Sequence, residues 1–135
     1  MTVKAASVSD LFETAAHGLF RMQYDTSTVG FEREVSVEAE AESMSALLAE
    51  WLTELLLLKQ EADFIPGDFI VVEVGDPPVK RYGANKLRVR GTARGRMAGD
   101  WLVLERDAPA RLDSDDVEVT IGKRTAEATI VLRFA

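Results

Sequence analysis

Between Ser43 and Lys59 the chain reads SMSALLAEWLTELLLLK, and no other stretch constrains the fold as tightly. Met44, Leu47, Leu48, Trp51, Leu52, Leu55 and Leu56 recur at i, i+3, i+4, i+7, i+8, i+11 and i+12. That spacing is one stripe of a 3.6-residue helix. Glu50, Thr53 and Glu54 fall off the stripe. A membrane-spanning helix takes about 20 largely apolar residues. This run is shorter and carries two glutamates, so it is expected to pack on a sheet rather than cross a bilayer. Each large side chain it buries contributes roughly 1.5–3 kcal/mol. Leu57 and Leu58 widen the stripe, so the end of the helix should be covered on more than one side.

A second helix comes earlier. In SVSDLFETAAHGLFRMQYD, Val8, Leu11, Phe12, Ala15, Ala16 and Leu19 form the apolar stripe, and Asp10, Glu13, Thr14, His17 and Arg21 the polar face. Ser7 with Asp10 three positions on resembles a capping box. The remainder has the period of strands. Phe31, Val35, Val37 and Ala39 alternate with Glu32, Glu34, Ser36, Glu38 and Glu40. FIVVEV (Phe69–Val74) follows the turn signal PGD. KLRVRG and WLVLER (Trp101–Arg106) are expected to pair across RMAGD, and VEVTIG and AEATIVLRF across GKR. In that last strand Ala126, Ala128, Ile130, Leu132 and Phe134 should face inward. GDPPVKRYG is a loop, because two prolines do not fit inside a central strand. The expected order is a short strand, helix, strand, helix and then several strands, in one domain spanning 1–135.

Composition narrows the chemistry. The chain has 135 residues, enough for one hydrophobic core, and no cysteine. Disulfides, thiolate zinc sites and a cysteine nucleophile are therefore excluded, and a cytoplasmic location is expected. The first residues show no export signal. The net charge of −7 hides a split: residues 1–79 hold 15 acids and 4 bases, residues 80–135 hold 8 acids and 12 bases. An acidic whole argues against non-specific nucleic-acid binding, while a basic patch can still hold a polyanion locally.

Candidate chemical groups are few. His17 is the single histidine, and no serine or carboxylate stands at a recognisable catalytic spacing from it, so an exposed helix histidine is expected. The glycine runs GTARG and RGRMAG match neither a dinucleotide fingerprint nor a phosphate loop. Asp113, Ser114, Asp115 and Asp116 offer oxygen ligands for a hard cation but lack a calcium-loop pattern, and a solvated turn is the plainer reading. The basic run is the strongest feature. Lys80 to Arg96 holds 7 of the 16 bases and no acid. Lys86, Arg88, Arg90, Arg94 and Arg96 are all even-numbered, so an unbroken strand puts them on one face, with Leu87 and Val89 on the other. Such a ladder repels itself unless opposite charge lies across it. Phosphate backbones, an acidic partner protein and this chain's own glutamate-rich strand all suit it. Only Tyr82 and Trp101 lie nearby as stacking aromatics, few for a single-stranded RNA site.

The chain resembles the archease family through DLFETAAHGLF (Asp10–Phe20), VSVEAEAESMSALLAEWLTELLLL, DFIPGDFIVVEV and the closing VEVTIGKRTAEATIVLRFA. The resemblance is strongest over residues 8–75. It implies an α+β fold, two helices packed on a mixed, mostly antiparallel β-sheet. It also implies a non-enzymatic accessory protein for an RtcB-type RNA ligase in tRNA splicing and repair, with RNA contacted at most indirectly. In that family a metal is held by an aspartate of an N-terminal His-Thr-Ala-Asp motif and an aspartate just before the last residue. Here MTVKAA stands where the strand after that motif is expected, and Phe134 or Ala135 stands at the acidic position. A basic segment before the closing hairpin is replaced by APARLDSDD, with Arg111 the nearest base. The expectation is thus a family scaffold with no cofactor and no metal site, docking through Lys86, Arg88, Arg90, Arg94 and Arg96. A general interaction module on the same scaffold, unrelated to RNA, is the alternative.

Overall fold

Two serines start the two helices. In the computed structural model, which describes residues 1–75, 86–97 and 112–132, the Ser7 hydroxyl accepts the Asp10 N–H at 3.1 Å and opens helix α1 (Val8–Arg21). The Ser43 hydroxyl accepts the Ala46 N–H at 3.1 Å and opens helix α2 (Met44–Glu61). Each satisfies a backbone donor that the first helical turn leaves without a partner. Both apolar stripes are buried as their spacing predicts except at their first members, Val8 and Met44, which are half-buried against the core; Phe20 joins the first stripe and Ala49 the second. Leu57 and Leu58 are half-buried, and Leu58 packs against the core.

Among the described residues the helices are joined by six strands: β1 (Thr2–Ala5), β2 (Arg33–Ala41), β3 (Phe64–Gly75), β4 (Leu87–Met97), β5 (Val117–Ile121) and β6 (Ala126–Ile130). They form two three-stranded sheets, ordered β1-β6-β5 and β2-β4-β3, and every pairing among them is antiparallel. The fold class is α+β, as expected. Helix α2 packs on β2, β3 and β4 and also on β5, while α1 packs on β3, β1 and β6, so the helices join the sheets around one buried cluster. Trp51 locks this arrangement. Its indole N–H donates to the Phe12 carbonyl at 3.2 Å. Its ring lies on Gly91, where a Cβ would stand 2.8 Å from Cη2 and 2.5 Å from the Ile70 carbonyl oxygen. Only glycine permits that approach.

The closing hairpin forms as expected, with Ala126, Ala128 and Ile130 buried. Two expectations fail, and a third is displaced: β4, which contains LRVRG, is the central strand, and β2 and β3 occupy both its edges. PGD does not precede a strand but lies inside β3, which begins at Phe64. The register slips between Pro66 and Asp68, and a bulge on an edge strand tolerates a residue without an N–H. Phe31 leaves the inward alternation of β2: it precedes the strand and is 62% exposed. Of the expected loop GDPPVKRYG, Gly75 ends β3, and its residues 76–83 lie outside the described residues, as do the expected strand 101–106, Arg111, Phe134 and Ala135.

Candidate functional site

Strand β4 separates two environments by parity. Val89, Gly91, Ala93 and Gly95 are buried toward the helices, and Arg88, Arg90, Arg94 and Arg96 point the other way, as the even spacing predicts. Lys86 is exposed just before the strand. The ladder's self-repulsion is relieved mainly from β3. Arg88 and Arg90 both reach Glu73, at 3.4 and 3.5 Å. The Arg94 Nε donates to Asp68 Oδ2 at 3.1 Å, its Nη2 meets the same oxygen, and its guanidinium lies 4.4 Å from the centre of the Phe31 ring. Arg96 stands 4.0 Å from Glu32. This stacked contact explains why Phe31 stays outside the core.

On the other flank, β2 sets Glu40 opposite Arg88, Glu38 opposite Arg90 and Glu34 opposite Arg94. All three glutamates are exposed, and none is the carboxylate its arginine pairs with. The outer face is therefore striped: acids on β3, bases on β4, acids on β2. Neighbouring strands lie about 4.8 Å apart. A phosphate backbone following β4 would run close to carboxylates on both sides, whereas a protein surface of alternating charge fits. On β3 the same face exposes Ile70 and Val72.

Asp68 also joins the face to α1. His17 Nε2 lies 3.4 Å from Asp68 Oδ1, and the imidazole edge packs on Phe69 with ring centres 5.2 Å apart. Burial lowers the His17 pKa below its usual 6.5, and Asp68 opposes that shift in part. The imidazole is neutral at pH 7. His17 is thus half-buried with a carboxylate partner, not the exposed histidine expected. The pairing spans 51 positions of sequence, and no local spacing announces it. An open cleft of about 720 Å³ borders this corner, with Arg21, Asp25, Ser27 and Phe31 among its lining. Ser27 donates its hydroxyl hydrogen to Asp25 at 2.6 Å, closing a turn, so it is not set up as a nucleophile for His17.

The acidic run 113–116 is built into the fold. Ser114–Asp116 form a short 3-10 turn, and buried Asp116 accepts the Asp113 N–H at 3.2 Å. Among the described residues no three His, Cys, Asp or Glu side chains converge to hold a metal ion. The metal implied by the family resemblance finds no such cluster among the described residues. No described helix is long and apolar enough to cross a membrane.

The sequence profile of the archease protein family (MTH1598/TM1083) matches residues 1–104. The chain belongs to the archease family. Protein archease of Archaeoglobus fulgidus is 38% identical over 104 residues, which is 76% of this chain and 70% of that protein. Protein archease of Methanopyrus kandleri is 36% identical over 93 residues, 69% of this chain and 61% of its own length. The solution structure of Methanobacterium thermoautotrophicum protein 1598 superposes with a TM-score of 0.70 at 22% identity, covering 98% of this chain and 89% of that one, and supports the fold. In this archease chain the matched segment includes α1, α2 and the whole β2-β4-β3 sheet.

Proposed function

We propose that this chain is an accessory protein of an RtcB-type RNA ligase, serving RNA joining in tRNA splicing or repair. It acts by contact, without chemistry of its own. Membership of the archease family is the first support. The geometric observation that carries the reading is the row Arg88, Arg90, Arg94 and Arg96, continued by Lys86, on a sheet face open to solvent at Arg90, Glu34, Glu38 and Glu40. The acidic rows on both sides favour a protein as the direct partner, with RNA reached only through it.

The test is a ligation time course with the source organism's own RtcB-type ligase, with and without this chain. A rise from single to multiple turnover is expected. Unchanged turnover with a bound, active ligase would remove the reading. A second reading, an interaction module unrelated to RNA, draws on the same striped face, which suits protein partners in general. It predicts a stable partner in a pull-down and no response to RNA ends.

A further inference from the structure

Among the described residues, the outer side of β2 carries charge that no ion pair answers. Glu34, Glu38 and Glu40 are exposed, and the arginines opposite them turn to Glu73 and Asp68 on the far strand. Strand β2 is the terminal strand of its sheet among the described residues. An edge strand keeps one side of its backbone N–H and C=O groups available for another strand. From Glu34 to Glu40 the row spans seven residues, about 20 Å in extended chain. The sheet itself sets a rule. Charge alternates strand by strand, with Asp68 and Glu73 on β3, four arginines on β4 and three glutamates on β2.

We infer that the free margin of β2 receives an extended segment of a partner protein whose Lys or Arg residues occupy alternate positions facing Glu34, Glu38 and Glu40. The inference deepens the docking reading above and rests on it for the face involved. Backbone pairing would supply affinity and the alternate basic side chains specificity. A second copy of β2 is a poor occupant, because antiparallel pairing of identical acidic strands sets glutamate against glutamate. A nucleic acid is a poorer one, since phosphates meet the same three carboxylates.

The test uses the full chain and fluorescein-labelled eight-residue peptides at low salt. One peptide alternates lysine and threonine, and a control of equal composition groups its lysines in a block. The alternating peptide should bind, and the block peptide should bind less tightly. The triple variant E34Q/E38Q/E40Q should weaken the alternating peptide by about tenfold or more. Its melting should match the parent, because the three side chains are exposed. An RNA octamer should not displace the peptide. Equal binding by the triple variant, equal binding of both peptides, or displacement by the RNA would each overturn the inference. Ligase stimulation by a chain that binds no peptide also overturns it, while leaving the accessory role intact. Peptide binding that the triple variant loses, with no ligase stimulation by the parent chain, supports this margin and removes the ligase instead.

Discussion

The two faces of β4 obey different rules. On the inner face Val89, Gly91, Ala93 and Gly95 are small or apolar, so α2 comes close enough for Trp51 to rest on bare backbone. Packing there is tight, and any added atom collides. On the outer face four arginines are held by carboxylates at 3.1–4.0 Å; Arg88, Arg94, Glu73 and Asp68 are about a quarter exposed, and Arg90 about half. Such partly solvated pairs contribute modestly to stability. One strand thus carries the fold on one side and an expendable, charged surface on the other. A surface that costs little to alter is free to be shaped by a partner.

The sharpest way to break the inner face is Trp51→Ala. It empties the space over Gly91 and leaves the Phe12 carbonyl without its donor, so a loss of about 3–5 kcal/mol is expected in urea unfolding. Gly91→Val attacks the same contact from the sheet side. Its Cβ would meet the Ile70 carbonyl, and about 2–3 kcal/mol should be lost, with the double variant far from additive. Tyr24→Phe probes the rim between the faces. Burial raises the phenol pKa, so the hydroxyl remains a donor, and it donates to the Pro66 carbonyl at 2.6 Å in the bulge of β3. Leaving that oxygen unsatisfied should cost about 1–2 kcal/mol.

His17 gives a smaller, pH-dependent effect. Its folded pKa lies below 6.5, so the unfolded chain binds a proton that the folded chain refuses. This group leaves stability unchanged above about pH 6.5. Its penalty grows as pH falls from there toward the folded pKa. His17→Gln should flatten that part of the stability–pH curve relative to the parent, measured by urea midpoints between about pH 7.5 and 5.5. Identical curves would assign the slope to another group. The smallest effect is expected on the outer face: Arg90→Ala should shift stability by no more than about 0.5 kcal/mol. A loss comparable to Gly91→Val would erase the contrast between the faces.

Much of this arrangement is written locally. The stripes of α1 and α2, the serine caps and the parity of β4 follow from spacing alone, because helix and strand periods project residues onto faces whatever lies beyond them. Family resemblance reaches further, since the order of segments is itself informative. What escapes is long-range. Nothing near KLRVRG says that β2 and β3 will take both its edges. Turn chemistry in PGD is real, yet the edge position of β3 turns it into a bulge. The joining of His17, Asp68 and Arg94 depends on α1 lying beside β3. Within the chain the spacing offers the glutamate-rich strand as the counter-charge, yet the ion pairs come mainly from Glu73 and Asp68 on β3, with Glu32 at the margin. Register places a residue opposite its neighbour, but a long arginine chooses between two flanks by packing.

The surface of β4 that holds the fold and the surface proposed to meet a partner are separable. The most direct measurement is made on R88Q/R90Q: its thermal midpoint together with the turnover of the cognate RNA ligase in its presence. The midpoint should stay within about 3 °C of the parent, since the pairs lost are partly solvated and the core face of the strand is untouched, and ligase stimulation should fall to the level seen without the protein. A variant that stimulates the ligase as well as the parent, or one that no longer folds, would contradict it.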